Sequence, residues 1–176
     1  FFDPHQPSFR LIPESLKTAF IANAGVEHIF IAKFDAAFAA LSAQSFVDDV
    51  LVRDLNVAHV VVGADYHFGS RRQGDLAMLR ALGEKCGFGV SEVAPVKDRY
   101  GLVYSSTRAR AALRDGMPHL ASEILGRTWS LHGCAQQFDD GVVSLSFDGQ
   151  QRPLPGMYVV RAEIIDPVSG EGLETV

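Results

Sequence analysis

Cysteine is nearly absent: the 176 residues hold two, Cys86 and Cys134, far apart and in no C-x-x-C spacing. That excludes a disulfide framework and offers no zinc-ligand pattern, so a reducing, cytoplasmic setting and no protein-bound metal centre are expected. No apolar run approaches the roughly 18 residues of a membrane helix, because Asp, Lys or Arg interrupts each one early. The opening residues do not read as a charged-then-apolar leader, so neither membrane insertion nor export is expected. Positive charge is not in excess: 16 Lys and Arg against 21 Asp and Glu leave a net −5. This argues against a nucleic-acid partner and leaves room for a local basic patch around a small phosphorylated ligand. Internal repeats and low-complexity tracts are also missing.

What is present suits a folded α/β chain. Hydrophobic residues make up 47% of the sequence, enough for a sizeable core. "PESLKTAFIANAG" (13–25) places Leu16, Ala19, Phe20 and Ala24 at helical spacing, with Gly25 suited to the position after the helix. "VEHIFIAKF" (26–34) reads as a strand, and "SAQSFVDDVLVRDLN" (42–56) as a helix capped by Ser42. "AHVVVG" (58–63) is an almost unbroken apolar run, the pattern of a strand covered on both faces. Helix, strand and helix follow at 75–87, 88–96 and 106–116, then a short helix at 118–127. This βαβαβα alternation predicts a parallel sheet with helices on both faces and ligands outside the carboxyl ends of the strands. Beyond it, "TWSLHGC", "GVVSLSF" and "GMYVVRAEII" read as antiparallel strands, which places a boundary near Gly126 and a frayed end at 170–176. The division expected is 1–126 and 127–176. "FFDP" has no initiator Met and reads like the end of a strand entering a turn, so residues upstream of Phe1 are expected.

Three stretches carry candidate chemistry. In "GADYHFG", Gly63 permits close approach, Asp65 offers a strand-end carboxylate, and Phe68 with Gly69 forms a wall; a plain turn with Asp65 capping its own backbone is the competing reading. In "SSTRAR" (105–110), hydroxyls enter a helix with arginines in its first turn, a phosphate site built on unsatisfied N–H groups. The alternative is an N-cap by Ser106 or Thr107 with solvated arginines. In "FDPHQP", Asp3 can face a metal ion or a nucleotide hydroxyl, with a turn-stabilising Asx bond as the competing reading, and His5 is an acid, a ligand or a turn residue.

"FDPH", "FVDDVLV.DLNVAHVVVGADYHFG..R.GD" and "SSTRAR..L.DG....A.EILGR" together resemble, in order and spacing over residues 1–133, the FAD synthetase module of the bacterial bifunctional riboflavin kinase/FAD synthetases. The resemblance implies a Rossmann-like nucleotidyltransferase fold that transfers AMP from Mg-ATP to FMN and releases pyrophosphate. It further implies that the C-terminal β unit is an altered or incomplete riboflavin kinase barrel. By position in the family's motifs, Asp3 and Arg110 fall at catalytic places, and Asp65, Ser106, Thr107 and Arg110 hold the nucleotide. Phe68 and His5 fall to the flavin side. Ala109 replaces the family's Ile in "SSTxIR", and Gln6 replaces a Pro.

Two departures bear on function. The family's H-x-G-H occurs nowhere in these residues, and adenylyl transfer without such preorganised donors loses on the order of 10²-fold or more. The expectation is that residues before Phe1 supply it. The kinase motif G-x-P-T-A-N is also missing between Gly133 and Tyr158, so kinase activity is not expected, and Asp139, Asp140 and Asp148 read as turn residues. Three classes remain open from sequence: an FMN adenylyltransferase, a flavin or nucleotide binder without turnover, and a structural remnant without ligand.

Overall fold

Local rules set most of the helices. A computed structural model describes residues 9–137, 143–147, 149–165 and 172–175. The expectations for Asp3, His5, Asp139, Asp140 and Asp148 therefore lie outside the described residues. Helix α1 spans Glu14–Asn23, with Gly25 following at φ +87°. The short α2, Ala36–Ala39, starts at Asp35, whose carboxylate accepts the Phe38 N–H at 3.0 Å. Ser42 caps α3, Ala43–Ser45, which runs on into a π-helix over Phe46–Asp54. Wider winding moves the apolar stripe, so Val47 and Val50 are buried.

Strand β1, His59–Gly63, leads through a turn to α4, Leu76–Cys86, and then to β2, Gly89–Val93. Asp75 caps α4 by accepting the Met78 N–H at 2.8 Å, and Gly87 ends it in the left-handed conformation. β1 and β2 pair in parallel from His59–Gly89 to Gly63–Val93, which is the β-α-β unit the alternation predicts. Helices α5, Ser106–Arg114, and α6, Pro118–Leu125, follow, and Gly126 closes α6 in the left-handed conformation. Antiparallel pairs complete the chain: β3 (Cys134–Gln137) with β4 (Val143–Ser146), and β5 (Glu163–Ile165) with β6 (Gly172–Thr175). The fold class is thus α/β, with a parallel pair and small antiparallel pairs.

The chain forms two compact units, one of 1–13 with 105–176 and one of 14–104. Each has its own core. In the first, Leu11, Ala109, Ala112, Leu113, Ala121 and Ile124 cluster, with Trp129 packed against them. In the second, Ala43, Val47, Phe68, Leu79, Leu82 and Phe88 cluster beneath Val60 and Val62 of β1. Burial of such side chains, at about 1.5–3 kcal/mol each, drives both. The first unit reaches across the sequence because Leu154 N–H donates to Leu113 O at 2.9 Å and Gln151 N–H to Arg10 O at 2.8 Å.

Several expectations need correction, among them the strands read over 128–134 and 156–165, which reduce to Cys134–Gln137 and Glu163–Ile165. Residues 26–34 form no strand, since apolar alternation makes a strand only where a ladder partner lies alongside. β1 is covered on one face only: Val60 and Val62 face the core, whereas Val61 is 61% exposed. The end read as frayed contributes β6, whose backbone finds its ladder in β5.

Candidate functional site

Two stretches carry the candidate chemistry, one in each unit. The first is the turn that leaves β1. Tyr66 N–H donates to Gly63 O at 3.1 Å, which places Asp65 at the apex, exposed to solvent. A Cβ on Gly63 would sit 3.3 Å from Asp65 Oδ1, so a side chain there would crowd the carboxylate. The loop then closes on itself: Phe68 N–H donates to Gly74 O at 3.0 Å, and Gly74 N–H to Phe68 O at 2.9 Å. Gly74 is required because a Cβ would meet the Phe68 ring at 2.6 Å. Gly69 is required twice over, by its φ of +73° and by the Ala43 backbone 2.6 Å from where its Cβ would stand. Between these glycines Arg71 and Arg72 adopt φ of 53° and 58°, left-handed conformations that cost a non-glycine residue about 1–2 kcal/mol each.

Phe68 is buried among Phe46, Tyr66 and the residues of the core. What the turn presents instead is Tyr66, stacked on Phe68 at 5.7 Å between centroids and 17° between planes. Burial pushes the Tyr66 hydroxyl above its ordinary pKa, so it remains a proton donor at neutral pH. An aromatic series, Phe34–Phe38–Phe46–Phe68, backs this wall from the side with centroid spacings of 5.6, 6.3 and 5.7 Å.

The second stretch is the start of α5. Its N-cap is Ser105, whose Oγ accepts the Arg108 N–H at 3.2 Å, rather than Ser106 or Thr107. The register follows from the buried face: Ala109, Ala112 and Leu113 must point into the core, which fixes where the helix begins. Ser106 and Thr107 thus occupy the first two helical positions, exposed, where their backbone N–H groups have no intrahelical acceptor. Arg110, one turn on, donates from Nε to Phe9 O at 2.7 Å, and its guanidinium lies 5.6 Å over the Phe9 ring. Both contacts set the direction of the fork.

Sequence reasoning missed Ser105, Tyr66 and the left-handed arginine pair. Only the first had a local signal, the helical register of the alanines. Among the described residues no group of three or more His, Cys, Asp or Glu gathers to hold a metal.

A profile described as FAD synthetase matches residues 1–108, which takes in Asp65, Ser106 and Thr107 and stops just short of Arg110. The bifunctional riboflavin kinase/FMN adenylyltransferase of Escherichia coli K12 is 33% identical over 151 residues, 82% of this chain and 48% of that protein. Its counterpart in Pseudomonas fluorescens is 35% identical over 171 residues, 93% of this chain and 54% of that protein. The FAD synthetase of Listeria monocytogenes is 30% identical over 164 residues, 93% of this chain and 64% of that protein. The chain thus spans about half the length of the first of these relatives. Among solved structures, the crystal structure of a protein titled macrolide-efflux protein from Streptococcus pneumoniae superimposes with a TM-score of 0.72 at 26% identity, over 97% of this chain and 62% of that one. No helix among the described residues is long and apolar enough to cross a membrane. With the profile match across more than half its length, and with the turn after β1 and the start of α5 built as they are, the chain belongs to the FAD synthetase family.

Proposed function

We propose that the protein transfers AMP from Mg-ATP to FMN, giving FAD and pyrophosphate. The observation that carries this reading is the family match over residues 1–108, which takes in the exposed hydroxyls opening α5. In the reaction a phosphate oxygen of FMN bonds to the α-phosphorus of ATP as the bond to the pyrophosphate oxygen breaks. Positioning and charge neutralisation supply most of the acceleration in such transfers. Ser106 and Thr107 donate to phosphate oxygens from the positive end of the helix, and Arg110 offers a planar fork to the charge that develops on the leaving group. Asp65 orients the nucleotide from the turn after β1. Phe68 backs the flavin side, with Tyr66 as the ring a flavin would meet. Asp3 is assigned beside the nucleotide with Arg110, and His5 beside the flavin.

Magnesium enters with ATP, held by the phosphates, which accords with oxygen donors being what Mg²⁺ prefers. The partners are these small molecules alone, and two free, exposed thiols, Cys86 and Cys134, suit the reducing cytoplasm. Residues 1–126 are proposed as the nucleotidyltransferase domain and 127–176 as a riboflavin kinase-like remnant. That boundary is one of function, and the contact units divide elsewhere because Leu113 and Arg10 hydrogen-bond to the C-terminal segment.

The test is incubation of the full-length protein with Mg-ATP and FMN, followed by chromatographic detection of FAD and coupled detection of pyrophosphate. FAD appearing with equimolar pyrophosphate is the expected result. Neither product under conditions where both ligands bind would reduce the protein to a binding module.

A further inference from the structure

The loop between Phe68 and Gly74 has glycine where space demands it and arginine where the backbone would favour glycine. Gly69 and Gly74 stand at the two positions where a Cβ would strike Ala43 or the Phe68 ring. Arg71 and Arg72, in open space between them, hold φ of 53° and 58° with their side chains exposed. Glycine or asparagine would adopt that conformation with less strain. Strain of this kind persists only where the surroundings enforce it, and it gathers where a site must be preorganised. Here the surroundings do enforce it: the two-way Phe68–Gly74 backbone bridge closes the loop, and Ser70 N–H donates to Leu41 O at 2.6 Å. Among the described residues neither guanidinium has a carboxylate within ion-pair distance. The nearest acid in sequence, Asp75, is committed to capping α4.

We propose that Arg71 and Arg72 are an anion anchor that takes a phosphate monoester or diphosphate group of a substrate, resting on the adenylyl-transfer reading for which group arrives. Two adjacent guanidinia on a rigid loop offer several N–H donors to non-bridging phosphate oxygens without first having to be ordered. The loop follows the same turn that presents Asp65 and Tyr66, so the anchor serves a ligand at that turn. The phosphate-bearing candidates are FMN, ATP and the pyrophosphate released.

The experiment uses the full-length protein with both arginines replaced, Arg71→Gly with Arg72→Gly, and compares it with wild type by thermal melting and by calorimetric titration of Mg-ATP, FMN, riboflavin and pyrophosphate. Because glycine relieves the backbone, the melting temperature should hold or rise. Affinity for at least one phosphate-bearing ligand should fall by about tenfold or more, while riboflavin, which has no phosphate, is unaffected. A loss confined to FMN assigns the anchor to the flavin phosphate, and a joint loss of ATP and pyrophosphate assigns it to the nucleotide. A second variant, Arg71→Asn with Arg72→Asn, keeps a residue tolerant of the left-handed conformation and removes the charge, so it should show the same loss without loosening the loop. An asparagine pair that binds every ligand as wild type does, or a riboflavin affinity that falls in step with FMN, overturns the anchor. Wild type that binds FMN and ATP but forms no FAD would sink the transfer reading and leave the anchor standing. Wild type that forms FAD beside variants with unchanged affinities would sink the anchor alone.

Discussion

The turn after β1 and the start of α5 reach similar exposed chemistry by opposite means. The α5 start is unstrained. Ser105 caps it, alanines and Leu113 bury its inner face, and Ser106 and Thr107 follow from that register. The turn is held against local preference: two glycines are fixed by packing, two arginines sit in left-handed conformations, and a buried phenylalanine clamps the loop. One region is governed by short-range rules, the other also by contacts from elsewhere in the chain, such as Gly69 against Ala43. Substitutions should therefore be mild and local in the first, and costly in the second wherever they touch a glycine.

The sharpest separation should come from Gly69→Ala. It combines a left-handed φ with a Cβ driven into the Ala43 backbone, and it should destabilise by about 3 kcal/mol or more, read as a lowered urea midpoint. A loss below about 1 kcal/mol would mean the loop relaxes freely and is not held as described.

Arg110→Lys comes next. On the proposed reading, replacing a fork by a point donor should weaken Mg-ATP binding by about 10- to 150-fold and leave FMN affinity much less changed. Lysine also lacks the Nε group that bonds Phe9 O, so the direction of the side chain is lost with its shape. Unchanged ATP affinity by calorimetry in a folded variant would return Arg110 to a structural role.

Ser105→Ala and Ser106→Ala test the register of α5. The first removes the cap and should cost about 1 kcal/mol by chemical denaturation. The second should stay within about 0.5 kcal/mol yet weaken ATP binding. Reversed stabilities would place the cap one residue later.

The smallest effect concerns pH. Burial raises the Tyr66 pKa above its ordinary 10.0, so the folded state holds this proton more tightly than the unfolded chain. The sign follows: the contribution is fully present below pH 10 and is lost as pH rises through the folded value. Tyr66→Phe should remove that part of the alkaline loss in melts between pH 9 and about 11, and an identical slope in both proteins would show that Tyr66 ionises freely.

Much of this was legible in sequence wherever a rule is local. Asp75 and Gly87 announce the ends of α4, Ser42 announces the start of α3, and the apolar run through Val62 announces β1. Legibility failed where partners decide. "VEHIFIAKF" carries strand chemistry but lacks a ladder among the described residues, and β6 formed from residues with no strand signal because β5 lay beside it. The candidate site divides the same way. The hydroxyls of α5 could be read from their spacing, whereas the φ of Arg71 and Arg72 depends on Ala43 and Phe68 clamping a loop whose sequence says only that it turns.

Residues 26–34 also bear on how the protein behaves in a tube. Phe30, Ile31 and Phe34 are each more than half exposed, an apolar run open to contact with another chain. Glu27 and Lys33 are the charges bracketing this segment, placed as charges that oppose self-association of an apolar run are placed. Neutralising these two surface residues, which take no part in either ligand-facing stretch, should be felt first as turbidity.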